Sequence, residues 1–246
     1  MKVAEMKIKL FEVAAHRRLR RLSNKEPFVF HGFDLTDINL QHNQESSFLD
    51  VGCGFGIDMA QATLMGFGET IGVDVNLYDD WLIAKSYFPS MKHILLEDKR
   101  LPFANKTFNF VNSYHVLEHV EDDNFLIQEI HRVLKDDGWA VISVPDVNNL
   151  QTMAKYQLKF DKPYLDPTHI REYTLSEIKN KINKYEFEIV SINKDGFVFP
   201  VPFINRIYHF FSTCYFDLNN LNNFLGRVIP YSSLGYNLLI KKISKP

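Results

Sequence analysis

Cysteine is nearly absent. Cys53 and Cys214 are the only two in 246 residues, so no disulfide framework organises the chain. Cys53 also stands among glycines that something must approach closely, where a bridge would obstruct the approach, and the expectation is a reducing, cytoplasmic compartment. Charge of one sign is lacking too. Lys and Arg total 28 against 30 Asp and Glu, a formal net charge of -2. Counterion release from a phosphate backbone needs a positive field, so no nucleic-acid partner is expected. Long hydrophobic runs are missing as well. The nearest approach, residues 197–216, contains Pro200, Pro202, Asn205, Arg206 and His209, poor material for a membrane span. The opening MKVAEMKIKLFEVAAHRRLRR has neither the apolar core nor the small-residue cleavage site of a signal peptide, and is expected to be retained.

What is present is alternation. The length suits one large α/β domain, read here as residues 46–246 behind an N-terminal helical extension over residues 1–45. In that extension a helix over residues 4–22 carries four arginines in HRRLRR at 16–21, either a solvated helix end at the negative pole of the dipole or a contact for an anionic substrate or membrane surface. Short apolar runs then alternate with amphipathic segments, the pattern of a mostly parallel sheet with helices on both faces. Strands are predicted at 48–51, 70–75, 93–96, 107–113, 139–144, 187–192 and 236–243, the last antiparallel. Helices are predicted at 57–65, from Asp79 and Asp80 to Phe88, from Asp122 and Asp123 to Gly138, and from the capping box Thr174-Leu175-Ser176-Glu177 to Asn183. The architecture expected is Rossmann-like, a seven-stranded sheet with a helical aromatic insertion over 197–230.

Between the first strand and the first helix lies DVGCGFG, residues 50–56. Glycine at every second position implies positive φ or a ligand too close for a Cβ. A dinucleotide fingerprint would read G-x-G-x-x-G, but Ile57 stands where its third glycine belongs. The loop presents backbone N–H groups and a positive helix end to a carboxylate or a phosphate. Asp74 closes the second strand in GVDVN, placed to accept from ribose hydroxyls, and Glu97-Asp98-Lys99 after the third strand offers a carboxylate for an adenine amino group.

The ordered blocks FLDVGCGFG, GVDVN, LLEDKRLPF, TFNFVNSYHVLEHV and EIHRVLKDDGWAVISVPD resemble the class I S-adenosylmethionine-dependent methyltransferases, in particular the small-molecule group with LPF and VLEHV segments. The resemblance implies S-adenosylmethionine as cofactor. Its methionine end would lie on Asp50, Gly52, Cys53, Gly54 and Gly56, its ribose on Asp74 and Val75, and its adenine on Asp98 and the Lys99 amide. Ser113 and Tyr114 would border the methyl group. Cys53 reads as a small packing residue rather than a nucleophile, and His115 and His119 as structural hydrogen-bonding residues.

An alcohol acceptor must lose a proton, a task suited to a base titrating near neutrality. The segments PDVNNL and DPTHIREYT emerge at the carboxyl edge of the sheet, where Asp146, Asp166 and Arg171 are expected to line the acceptor pocket. His169 is the expected general base, oriented by Asp166, and Arg171 an anchor for an anionic substituent. The H-x-R-x-Y-T run at 169–174 is similar to a pattern in methyltransferases of bacterial cell-envelope glycan synthesis. That similarity implies O-methylation of a sugar or glycan hydroxyl. A quinone or lipid acceptor, or a non-catalytic S-adenosylmethionine-binding protein, are the alternatives. No Asp or His spacing resembles a metal-ligand set. From Phe203 to Phe216 apolar residues follow helical spacing. The segment reads as a core-facing helix, a lid over the acceptor, or an interfacial helix in peripheral contact with a membrane, which would put the protein at the membrane's inner face. The sequence leaves the oligomeric state open.

Overall fold

A computed structural model describes residues 30, 31, 33, 45–76, 81–161, 163–197, 225, 226 and 228–244. The predicted helix at 4–22, the caps Asp79 and Asp80, and most of the insertion at 197–230 lie outside them. Seven strands form one sheet: β1 (Ser47–Val51), β2 (Glu69–Asp74), β3 (Lys92–Leu95), β4 (Phe108–Tyr114), β5 (Leu134–Pro145), β6 (Phe187–Asp195) and β7 (Gly235–Lys242). Their order is β3-β2-β1-β4-β5-β7-β6. The first five are mutually parallel, and β7 runs antiparallel to both β5 and β6. This is the Rossmann-like arrangement expected, last strand included.

The sheet is apolar on both sides because helices cover both. Leu49, Val51, Val111, Ile142, Val144, Leu238 and Ile240 pack on one face against Ile127, Ile130 and Val133 of a helix at Asp123–Val133 and Ile178 and Ile182 of another at Leu175–Asn183. The opposite face sets Phe48, Phe110, Val141 and Leu239 against Ala62, Phe67, Phe30 and Phe33. Among the described residues the helices named are α1 (Ile57–Leu64), α2 (Trp81–Tyr87), α3 (Asp123–Val133), α4 (Leu150–Gln157) and α5 (Leu175–Asn183).

The end of α3, with the start of β5, and the end of β6 depart most from the sequence reading. α3 was expected to reach Gly138 but ends at Val133. Leu134 already has extended backbone, with ψ 137, and pairs with Phe108 at the start of β5. Lys242 donates to the carbonyls of His131 and Leu134 at 2.8 and 2.9 Å, satisfying acceptors that the stopped helix leaves open. β6 runs three residues past the expected Ile192, and Asp195 pairs with Gly235. Since Gly235 also faces Pro145 across β7, Asp195 reaches the edge of the sheet where the parallel strands end. Among the described residues no helix is long and apolar enough to cross a membrane.

Candidate active site

The glycine loop leaves β1 at the carboxyl edge. The N–H groups of Gly52 and Cys53 donate to the Val73 carbonyl at 2.8 and 3.1 Å, fastening the loop to β2. Gly54 donates to Asp74 Oδ2 at 2.9 Å and Asn76 to Asp74 Oδ1 at 2.9 Å, so Asp74 is held by two backbone donors. Trp81 Nε1 donates to the Gly54 carbonyl at 2.7 Å. Gly54 has φ 48, and a Cβ built there would meet nothing within 4 Å. The loop therefore faces an open cradle at that point. Gly56 is the N-cap of α1 with φ 77, where a Cβ would come within 2.9 Å of His93 Nε2. Cys53 is buried in a cluster with Met59 and Trp81, and burial, with Asp50 and Asp74 adding to it, pushes its thiol far up. It packs, and its thiolate is not available.

Three carboxylates crowd this loop. Asp50 is buried, its Oδ1 accepting from Asn112 Nδ2 at 2.8 Å. The same amide donates to Asp58 Oδ2 at 3.2 Å, which also lies 3.1 Å from His31 Nε2. Burial, and then the charge of Asp58, hold the Asp50 carboxyl well above the usual carboxylate range, against the Asn112 hydrogen bond and with Asp74 adding to the rise. Val75 and Asp98 are exposed, and Asp98 Oδ1 accepts from its neighbour's Lys99 N–H at 2.6 Å. Ser113 and Tyr114 are the last residues of β4, which runs one residue past its expected end at Ser113. Ser113 is fully buried.

At the ends of β4 and β6, Tyr114 donates to Asp195 Oδ2 at 2.7 Å, and His115 Nε2 lies 3.2 Å from the same oxygen. His115 Nδ1 is 3.0 Å from Glu118 Oε1, and the His31 ring stacks on Tyr114 with centroids 4.2 Å apart. Burial pulls the His115 pKa down, but its hydrogen bonds to Asp195 and Glu118 outweigh burial and hold the imidazole cationic at neutral pH. Burial raises Asp195, and the bond from His115 outweighs it in the opposite sense. Bonded at both ring nitrogens, His115 fastens the loop after β4 to Asp195 and Glu118.

The segment before α5 corrects two expectations. Asp166 does not orient His169. Its Oδ1 accepts from the Thr168 N–H and hydroxyl at 2.8 and 2.6 Å, because an Asp-x-Thr turn captures the carboxylate locally. The partner of His169 Nδ1 is Glu172 Oε1 at 3.0 Å, while Nε2 faces Glu118 Oε1 at 3.9 Å. Arg171 is not left free for an anionic substituent. It donates to the carbonyls of Val120 and Glu121 at 2.7 and 2.8 Å and lies 3.5 Å from Asp123, tying this segment to the loop after β4. His119, at the surface, packs edge-on against His169 with centroids 4.9 Å apart. Asp146 Oδ2 accepts from Tyr236 at 2.6 Å. It helps line a cavity of about 250 Å³ with Asn148, Lys194, Tyr231, Ser233 and Tyr236. Sequence reasoning missed Trp81, Asn112, Glu172 and Asp195, and His31 from the extension.

Against this geometry the comparisons are direct. A family model described as a methyltransferase domain matches residues 14–192, starting within the stretch read as an extension. An uncharacterized protein of Methanocaldococcus jannaschii is 27% identical over 172 residues, 69% of this chain and 71% of that protein. A demethylmenaquinone methyltransferase of Chlorobaculum tepidum is 27% identical over 126 residues, about half of each chain (51% and 52%). The crystal structure of a SAM-dependent methyltransferase from Archaeoglobus fulgidus superposes with a TM-score of 0.55 at 20% identity, covering 94% of each chain.

Proposed function

The chain belongs to the methyltransferase-domain family and is a SAM-dependent methyltransferase, and on that premise we propose that it O-methylates a sugar or glycan hydroxyl in cell-envelope polysaccharide synthesis. The residues at the loop suit S-adenosylmethionine. Three mutually repelling carboxylates beside an open cradle at Gly54 favour a ligand carrying positive charge, and the cofactor has both an ammonium and a sulfonium. When bound, it supplies an electrophilic methyl group whose bonding electron pair returns to sulfur. Asp50 and the loop amides would hold the methionine end, Asp74 and Val75 the ribose, and Asp98 and Lys99 the adenine.

With the cofactor bound, an acceptor hydroxyl would have to be held in line with the methyl group, so alignment and exclusion of water would carry much of the rate. Its proton leaves at the corner where His169, oriented by Glu172, faces Glu118. The observation that carries a glycan acceptor is the cavity at Asp146. A carboxylate, an amide, an ammonium and three hydroxyls (Asp146, Asn148, Lys194, Tyr231, Ser233 and Tyr236) line it. That density of hydrogen-bonding groups suits a polyhydroxylated ligand. A quinone ring is the second reading, favoured by the demethylmenaquinone methyltransferase relative. The test is turnover with isotopically labelled cofactor on nucleotide-linked sugars, lipid-linked glycans and demethylated quinones, read by mass spectrometry. Label in a sugar hydroxyl is expected, and label confined to quinones overturns the glycan reading.

A further inference from the structure

Glu118 and His119 in the VLEHV segment, and His169 some fifty positions on, converge at one corner. One ligand-type atom of each lies within 4.8 Å of the others. Glu118 is fully buried, and its Oε2 has no hydrogen-bond partner. A buried carboxylate oxygen left without a donor is costly and calls for something to meet it. His169 is already set as a ligand. Its Nδ1 is engaged by Glu172, which is itself fixed by the Leu165 N–H at 2.5 Å and the Thr152 hydroxyl at 3.1 Å, and its Nε2 stands 3.9 Å from Glu118 Oε1. A carboxylate behind an imidazole, orienting the ring and raising its basicity, is the support that metal-bound histidines carry. His119 is at the surface, its ring edge-on to His169 at an interplanar angle of 73°. Zinc ligands at about 2.1 Å in tetrahedral array stand about 3.4 Å apart. The buried pair His169 Nε2 and Glu118 Oε1, 3.9 Å apart, is about half an ångström wider than that, and the surface His119, whose Nδ1 lies 3.4 Å from the Thr168 hydroxyl, is the ligand with room to turn.

We propose that Glu118, His119 and His169 form a three-ligand site for a divalent transition-metal ion. Two imidazoles and one carboxylate select zinc or another first-row ion over magnesium or calcium, which take oxygen donors. Three protein ligands leave a coordination position open, on the solvent side, for an oxygen. The site deepens the reading of this corner as the place where the acceptor loses its proton, and rests on that reading for its role but not for its existence.

The test is calorimetric titration of the full chain with Zn²⁺, acceptor absent. One site per chain is expected, with Mg²⁺ failing to compete. His119→Ala, a surface change, should abolish it while far-UV circular dichroism and cofactor affinity stay unchanged. Glu172→Gln should weaken it about 10- to 100-fold. Absence of a single site, or a site that survives His119→Ala, overturns the proposal. Full turnover of a glycan acceptor by metal-stripped protein in chelator overturns the metal's role and leaves the glycan reading standing. One-site Zn²⁺ binding with no glycan turnover on any acceptor tried overturns that reading and upholds the metal site.

Discussion

With the methionine end of the cofactor placed as proposed, Asp50 is the residue on which cofactor binding and proton binding meet. Burial and the neighbouring charge of Asp58 raise its carboxyl well above the usual range, so between the ordinary and the raised value the folded protein keeps a proton there that an unfolded chain releases. In sign, a carboxyl raised in the folded state loses stability as pH climbs from its ordinary pKa through the raised value. A cationic ligand beside it favours the ionised form and expels the proton. The affinity for S-adenosylmethionine should therefore rise with pH across that window, with net proton release visible as a buffer-dependent heat in calorimetry. Asp50→Asn should flatten the dependence. An unchanged slope in that variant would assign the proton elsewhere. Asp74 was legible from its place at the end of GVDVN, but its two backbone donors, Gly54 and Asn76, were not. Neither was the Glu172 support of His169, because Asp166 stands equally close in sequence and only the folded turn shows which carboxylate is already occupied.

Among the elements, α5 is the one whose start was written most plainly. Thr174 accepts from the Glu177 N–H at 3.2 Å, and Glu177 Oε2 returns to the Thr174 N–H at 2.8 Å, the reciprocal box that TLSE announces. The helix has nine residues and buries only Ile178 and Ile182, so its cap is a sizeable part of what holds it. Thr174→Ala should lower the free energy of unfolding by about 1 kcal/mol, within roughly 0.5 to 2. A urea titration would show this as a lower midpoint at constant slope, with cofactor affinity unchanged because α5 packs on the strands opposite the glycine loop. A change below a few tenths of a kcal/mol would mean that solvent replaces the cap. α4 went unread for the opposite reason. Its buried residues are Gln151 and Thr152, so there is no apolar stripe, and its only announcement is Asn149, whose side chain accepts from the Thr152 N–H at 2.9 Å. The end of α3 was misplaced because Gly138 reads as a terminator, whereas the chain had already turned extended at Leu134.

At the scale of the molecule, the parallel order of the sheet was legible because the central strands β1, β2, β4 and β5 are buried on both faces, whereas the ends of β4 and β6 are joined by contacts across long stretches of chain. Asp195 reaches Tyr114 and His115 over some eighty residues, and Asn237 donates to the His31 carbonyl at 3.0 Å across more than two hundred. The amphipathic run at 203–216 lies outside the described residues. The same assembly gives the proposed cofactor site a global consequence. The glycine loop follows β1, Asp74 ends β2 and Asp98 follows β3, so the site exists only when the sheet is formed, and a ligand that binds it stabilises the native state alone. S-adenosylmethionine at about 100 times its dissociation constant should add about 2.7 kcal/mol. For a domain of this size that corresponds to a rise of roughly 5 to 11 °C in the unfolding midpoint. The shift should shrink in Asp74→Ala, which lacks the ribose acceptor and also frees the Gly54 and Asn76 amides that shape the loop. A nicotinamide dinucleotide should produce no shift, since Ile57 occupies the third-glycine position of that fingerprint. Scanning calorimetry with both cofactors decides the matter: equal shifts, or a larger one with the dinucleotide, would overturn the assignment of this loop to S-adenosylmethionine.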